Sequence, residues 1–137
     1  MFVSYERRKY PRYACYLPAY LEDQEVQVFM CDLSLNGCFV EAPERALLPI
    51  GRKVHMVLYL PCVGQVPVEG LVVHNGSPKR RGMGIEFIRF PDRLHLVYAK
   101  FVKVLPILEE ARMLLQQLTA KNKRAKQNKE AHAKFVG

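Results

Sequence analysis

No apolar run in this sequence of 137 residues approaches the ~20 residues that a membrane-spanning helix needs. The N-terminal segment, MFVSYERRKYPR, also lacks the apolar core of a secretory signal. We therefore expect no transmembrane segment and a cytoplasmic location.

The cysteines are few, and their spacing is not that of a metal site. Cys15, Cys31, Cys38 and Cys62 form no C-x-x-C pair, and the four histidines do not complete a zinc-ligand pattern. Reduced cysteine commonly serves as a small buried apolar residue, and a cytosolic protein keeps its thiols reduced. We expect free thiols, no bound metal and no cofactor.

The signatures of common enzymes are absent as well. The sequence has no Ser-His-Asp order and no glycine loop that would cradle a phosphate. The pair Gly82-x-Gly84 does not qualify as such a loop, because a strand rather than the start of a helix is predicted to follow it. These absences favour a binding protein over an enzyme.

The charge that is present lies at the two ends of the chain. Half of the residues are hydrophobic and a quarter are charged, which is normal for one globular domain. The net charge of +8 arises from an N-terminal arm, residues 1–12, and a basic tail, residues 121–137. The arm holds four basic residues against one acidic, and the tail holds six against one. Such segments attract anions: phosphates, nucleic acid or an acidic membrane face.

Short alternating or β-branched segments, separated by turn signals, run from the end of the arm to about residue 90. No helical pattern interrupts them, which indicates an antiparallel barrel or sandwich. Pro18 and Pro67 fit only an edge or a bulge, because proline cannot donate to a strand ladder. The predicted strands are Tyr13–Leu21, Val26–Cys31, Gly37–Glu41, Lys53–Leu60, Val66–His74 and Gly84–Phe90.

After the last strand, apolar residues recur at spacings of 3 and 4, the period of a helix. Pro106 interrupts the pattern, and proline inside a helix usually kinks or restarts it. We predict one helix from about Asp92 to Leu105 and a second to about Thr119 or beyond. The stripe either packs on the barrel or, beyond the proline, mediates self-association through Leu108–Leu118. Its members are Leu94, Val97, Phe101, Val104, Leu108, Ala111, Leu115 and Leu118.

Two short segments carry residues suited to ligand binding. The first, Glu6-Arg7-Arg8-Lys9-Tyr10-Pro11-Arg12, holds three arginines, whose guanidinium groups bind phosphate bidentately and stack on flat rings. The second, Asp32-Leu33-Ser34-Leu35-Asn36-Gly37, offers polar side chains beside an Asn-Gly pair that supplies the positive φ of a tight turn. Taken separately, the first is typical of a solvated basic arm and the second of an ordinary β-turn.

Together and in this order, the two segments resemble the PilZ domain, a family of bacterial receptors for cyclic di-GMP. The family pattern is R-x-x-x-R followed by [D/N]-x-S-x-x-G. Arg8–Arg12 matches the first part, and Asp32–Gly37, which begins 20 residues after Arg12, matches every defined position of the second. Gly82–Phe87 is similar to the glycine-containing last strand of that family.

The resemblance covers roughly residues 6–105 and implies a mainly β fold. We expect a six-stranded antiparallel β-barrel followed by a C-terminal α-helical extension. The arm, the barrel and a packing helix would occupy residues 1–105, and a further helix with the basic tail would occupy residues 106–137.

The resemblance also implies a ligand, cyclic di-GMP, and a role for each motif residue. Arg8 and Arg12 would contact its phosphates and guanine faces. Asp32 and Ser34 would address the edge of the other guanine, with Gly37 shaping the turn. Arg7 resembles the basic residue that favours an intercalated ligand dimer in some members, so the stoichiometry of one or two ligands per chain stays open. The implied ligand-binding set is Arg7, Arg8, Arg12, Asp32, Ser34 and Gly37.

The resemblance predicts a receptor or adaptor that performs no catalysis. An arm that becomes ordered over the ligand would present a new surface to an effector protein, or change how the C-terminal helix packs. The sequence does not identify that effector.

The alternative interpretation is a nucleic-acid-binding module that uses the basic tail and the barrel surface. Tyr10, Tyr13, Tyr16 and Tyr20 lie near the arm and would stack on bases. Tyr16 and Tyr20 fall within a predicted strand, however, where packing is the more usual role. Binding of a polymer through the tail would weaken steeply with salt, so deleting residues 121–137 separates the two functions. The tail lacks the apolar side that an interfacial membrane helix needs.

Overall fold

The computed structural model describes residues 9–136, with side chains described through residue 127. Six antiparallel strands close into a barrel in the order β1-β2-β3-β6-β5-β4. A short 3₁₀ turn, Glu44–Ala46, lies between β3 and β4, and one helix, α1 (Leu94–Val136), follows the barrel. The strands are β1 (Tyr13–Leu21), β2 (Val26–Ser34), β3 (Gly37–Glu41), β4 (Lys53–Leu60), β5 (Gly64–Ser77) and β6 (Arg80–Arg89).

The predicted fold is therefore confirmed, and the predicted bounds of β1, β3 and β4 agree with the structure to the residue. Alternation explains the agreement for β4, because every second side chain points to the same face. In β4, Val54, Met56 and Leu58 are fully buried in the barrel, whereas Lys53 and His55 are exposed.

The two strand prolines occupy positions where their strand is paired on one side only. Pro18 pairs with Phe29 of β2, but the pairing of β1 with β4 begins one residue later, at Ala19. Pro67 pairs with Val57 of β4, whereas the pairing of β5 with β6 covers Glu69 and the residues after it. A closed barrel can thus hold proline in its strands, because neither residue must donate to two neighbours.

One helix runs where two were predicted, with Pro106 inside it. Proline costs about 3 kcal/mol in a helix interior because it removes one hydrogen bond and crowds the preceding turn. The residues that follow, LEEARMLLQQ, are nearly all strong helix formers. Their summed propensity accounts for a helix that continues past the proline instead of restarting at it.

The chain divides into two compact units, residues 1–103 and residues 104–137. In the first unit, the start of α1 buries Tyr98, Phe101 and Val102. The ring of Tyr98 lies 5.2 Å from that of Phe87 and 5.3 Å from that of Phe90 between centroids. Val97 of the predicted stripe is exposed, so the buried face of this segment is rotated by about one residue from that stripe.

In the second unit, the helix presents apolar side chains to solvent. Leu108, Leu115 and Leu118 of the predicted stripe are each about half exposed or more, as are Ile107, Met113 and Leu114 beside them. Across residues 9–136, no helix is both long enough and apolar enough to pass through a bilayer.

Candidate functional site

The arm enters the described structure at Lys9, and its last arginine, Arg12, is exposed directly before β1. Arg7 and Arg8 lie outside the described residues. The ammonium of Lys9 stands 5.5 Å from the centre of the Tyr10 ring. Of the predicted arginines, the structure describes Arg12, whose side chain is exposed.

A bulge in β2 determines where the second motif points. Met30 pairs with Val40 and Asp32 pairs with Phe39, so that Cys31 is an extra residue on the β2 side. Met30 and Leu33 are both fully buried in the core although they are three positions apart, because the bulge reverses the alternation between them. Asp32 and Ser34 therefore lie on the outer face of the barrel wall.

Asp32 lies within β2 and is covered by its neighbours, with 9% of its surface exposed. Its Oδ1 accepts a hydrogen bond of 3.2 Å from the backbone N–H of Phe39. Its Oδ2 accepts one of 2.8 Å from Nη2 of Arg80. The carboxylate of the motif is thus held by the backbone on one oxygen and by a guanidinium on the other.

Arg80 begins β6, after the turn from β5, and packs flat against the barrel wall. Its guanidinium carbon lies 4.0 Å from the centre of the Phe39 ring, within the range of a cation–π contact. The hydrogen bond to Asp32 raises the pKa of Arg80 above its ordinary value. Arg80 carries no local sequence signal for this role, because only the pairing of β3 with β6 brings the basic turn Lys79-Arg80-Arg81 toward the motif.

Charged residues of both motifs act on the pKa of the Cys38 thiol on β3. Burial raises the pKa of Cys38 well above its ordinary value, and the charge of Asp32 raises it further. The charge of Arg12 acts in the opposite direction on the same thiol. One cation of the first motif and the carboxylate of the second therefore lie within electrostatic range of a single group.

Ser34 is more deeply buried than the sequence indicated, with 3% of its surface exposed. Its hydroxyl donates to Oδ1 of Asn36 at 2.7 Å and lies 3.3 Å from the carbonyl oxygen of Gly37. Its own carbonyl oxygen accepts a 2.7 Å hydrogen bond from the Tyr98 hydroxyl of α1. Ser34 thus organises the motif turn, residues 34–37, and attaches it to the helix.

Gly37 is required for a different reason than the one predicted. The turn was expected to need a positive φ at Asn36-Gly37, but neither residue has one. Instead, Gly37 pairs with Glu86 of β6 so closely that a Cβ atom would collide with the carbonyl oxygen of Ile85. The glycine allows β3 and β6 to approach beneath the motif, and in that sense it shapes the site.

A family model for the PilZ domain matches residues 6–120 of the chain. The match spans the arm, all six strands and much of α1, and it includes both motifs. The chain belongs to the PilZ domain family. No curated protein sequence matches the chain.

Solved structures with the same PilZ fold include three that bear on this chain. The inhibitor of motility of Bacillus subtilis, MotI/DgrA, is 17% identical with a TM-score of 0.64, over 77% of this chain and 52% of that one. The PilZ domain of YcgR from Escherichia coli with c-di-GMP is 16% identical with a TM-score of 0.59, over 81% of this chain and 98% of that one. The longer YcgR chain in complex with c-di-GMP is 17% identical with a TM-score of 0.59, over 82% of this chain and 50% of that one. This chain therefore spans about half the length of MotI and of the longer YcgR chain.

The pairing of β2 with β3 places Ser34 opposite Gly37 and Asp32 opposite Phe39, and the pairing of β1 with β2 places Tyr13, directly after Arg12, opposite Leu33. In the part of the chain that the structure describes, no cluster of His, Cys, Asp and Glu side chains has the arrangement of a metal site. The outer face of β2 instead carries a largely covered carboxylate, Asp32, bonded to the half-exposed guanidinium of Arg80. Such a surface suits a ligand that carries both anionic and hydrogen-bond-donating groups.

Proposed function

We propose that the chain is a receptor for cyclic di-GMP that acts by binding and has no chemistry of its own. The observation that carries the proposal is the position of Asp32, which pairs with Ala14 near the start of β1, two residues after Arg12. Two solved relatives of the same fold are structures with this dinucleotide, and the chain keeps every defined position of the two motifs.

The chemistry of the ligand fits the residues. Cyclic di-GMP carries two phosphodiester anions and two flat guanines, and guanidinium groups pair with the former and stack on the latter. The guanine edge presents N–H donors, for which a carboxylate such as Asp32 is a matching acceptor. We assign Arg8 and Arg12 to the phosphates and guanine faces and Asp32 to the edge, with Arg7 setting whether one or two ligands bind.

The hydroxyl of Ser34 supports this site by holding the motif turn, because it is already bonded to Asn36. When the ligand binds, the arm closes over it and becomes ordered, which creates a surface for an effector protein. The motif turn is bonded to Tyr98 of α1, so the helix is the element through which binding would reach the rest of the chain.

We further propose that the chain self-associates through the apolar face of α1 around Leu108–Leu118. Contiguous exposed apolar surface of this kind marks interaction sites. Heptad spacing of Leu108, Leu115 and Leu118 on a helix is that of a coiled-coil seam.

Equilibrium dialysis against cyclic di-GMP tests the receptor function. The wild-type chain should bind saturably, and Arg8→Ala and Arg12→Ala should each abolish binding without lowering the melting temperature, because Arg12 is exposed and the arm precedes the barrel. Arg52→Ala, an exposed arginine in the turn before β4, is the matched control and should bind as wild type. Undiminished binding by the Arg8 and Arg12 variants would overturn the site.

A chain that lacks residues 121–137 separates this function from binding of nucleic acid through the basic tail. Its affinity for cyclic di-GMP should equal that of the full chain at moderate salt. If the truncated chain instead loses a salt-sensitive affinity for oligonucleotides while neither chain binds the dinucleotide, the nucleic-acid interpretation replaces the receptor.

A further inference from the structure

Arg80 is hydrogen-bonded to Asp32, the carboxylate that the proposed function assigns to the ligand. Its Nη2 lies 2.8 Å from Oδ2 of Asp32, and the backbone N–H of Phe39 already holds Oδ1 at 3.2 Å. Only 13% of the Asp32 side chain is accessible, so the two partners cover most of it. The guanidinium therefore competes with a guanine edge for a carboxylate that has little accessible surface while the two are bonded.

We infer that Arg80 is an internal competitor of the ligand, a displaceable arginine that sets the affinity of the site. This inference rests on the proposed function, since it concerns the same carboxylate. Arg80 lies outside both motifs, and it reaches Asp32 from the other side of β3, across the ring of Phe39.

The ion pair of Arg80 with Asp32 is strong enough to compete with a ligand and weak enough for a ligand to displace it. The side chain of Arg80 is 48% exposed and that of Asp32 is 13% exposed, so solvent screens their ion pair from the arginine side. Ion pairs of this exposure contribute little to stability, and the flat contact with Phe39 adds a modest cation–π attraction. The closed position is therefore favoured by a small margin, which a ligand can overcome.

A second carboxylate stands near Arg80, on the strand that separates it from Asp32. Burial raises the pKa of the Cys31 thiol to about 11, and both Glu41 and Arg80 act on that thiol, in opposite directions. Glu41 and Arg80 also line the same surface cleft of about 410 Å³, together with Gln27 and Phe29. Once displaced from Asp32, the guanidinium has both an open space and an acidic partner on this side.

Competition of this kind has a calculable effect on affinity. The apparent dissociation constant equals the intrinsic one divided by the fraction of molecules in the open, binding-competent state. An exposed ion pair of ordinary strength corresponds to a factor of about two to five. Weakening the pair should therefore tighten ligand binding by about that factor.

Arg80→Lys is the sharpest test, because it keeps the positive charge but loses the planar group that packs on Phe39. Arg81→Lys is the matched control, one residue along and exposed. Calorimetric titration with cyclic di-GMP should give a dissociation constant about two- to fivefold lower for Arg80→Lys than for wild type, and an unchanged value for Arg81→Lys. Arg80→Ala, which removes the competitor altogether, should also bind more tightly than wild type.

The outcomes distinguish this inference from the proposed function. If wild type binds and both Arg80 variants bind equally or more weakly, Arg80 is not a competitor, although the receptor function stands. If an Arg80 variant binds the dinucleotide tightly and the wild type binds it only weakly, Arg80 is a strong competitor of the ligand. If none of the chains binds the dinucleotide, the receptor function fails and the inference fails with it.

Discussion

The hydroxyl of Tyr98 on α1 donates a 2.7 Å hydrogen bond to the carbonyl oxygen of Ser34, 64 residues earlier in the chain. Tyr98 has 1% of its surface exposed, and burial raises the pKa of its hydroxyl above the ordinary value. The bond therefore stays intact at any pH that the fold tolerates, and it joins the ligand motif to the helix that follows the barrel.

Removing this hydroxyl should weaken the fold by a small, measurable amount. Tyr98→Phe keeps the ring contacts with Phe87 and Phe90 but leaves the buried carbonyl of Ser34 without its donor. We expect a loss of about 0.5–1.5 kcal/mol in the free energy of unfolding, measured in urea. Tyr59→Phe, at a half-buried position on β4, is the control and should change stability less. Equal losses in both variants would mean that the bond to Ser34 contributes nothing.

The explanation given for Gly37 predicts the effect of adding one methyl group. In Gly37→Ala, the new Cβ meets the Ile85 carbonyl oxygen, so β3 and β6 must separate. Overpacking of this kind costs about 1–3 kcal/mol, and we expect a corresponding fall in the urea midpoint together with weaker ligand binding. Leu35→Ala, in the exposed part of the same turn, should leave the midpoint nearly unchanged. A Gly37→Ala chain as stable as wild type would refute the close approach as the reason for glycine.

The cysteines should differ sharply in reactivity. Cys62 is exposed in the turn between β4 and β5, whereas burial raises the pKa of Cys15 to about 12 and that of Cys31 to about 11. A raised thiol pKa leaves little thiolate at pH 8, and the thiolate is the reactive species. Titration with a chromogenic disulfide at pH 8 should release about one equivalent quickly from the native chain, while Cys62→Ser should release almost none. The labelling rate of Cys31 should rise only as the pH approaches 11; fast labelling of Cys15 or Cys31 at pH 8 would contradict the burial.

Self-association through α1 predicts a mass that depends on single leucines. Light scattering at tens of micromolar should give more than the 15.8 kDa of one chain. Leu115→Glu places a charge at the most exposed leucine of the stripe and should return the mass to that of a monomer. Ile50→Glu, an equally exposed apolar residue of the barrel, should not. A wild-type monomer at this concentration would reject the proposed interface.

The barrel could be predicted from the sequence because its strands are short alternating or apolar β-branched segments and its turns are marked by polar residues, glycine or proline. What could not be predicted depends on contacts between distant segments. The bulge at Cys31, which turns Asp32 outward, has no local signal, because it is set by the pairing of β2 with both neighbours. The contact of Arg80 with Asp32, 48 residues away, requires the register of β3 on β6.

The continuity of α1 and the face that it buries were also only partly predictable from the sequence. The free-energy cost of Pro106 inside a helix predicts that the helix ends there. The strong helix formers after the proline favour continuation instead, and α1 continues past it. The heptad pattern identified apolar residues of α1 but not the face that packs on the barrel. Tyr98 is buried there, whereas Val97 of the pattern is exposed.

Calorimetric titration of cyclic di-GMP into the wild-type chain, beside Arg12→Ala, tests the receptor function most directly. We predict saturable heat for the wild type and none for Arg12→Ala, with a stoichiometry of two ligands per chain if Arg7 holds an intercalated pair and one if it does not. No heat from the wild type, or equal heat from both chains, would contradict a receptor built on the arm and Asp32.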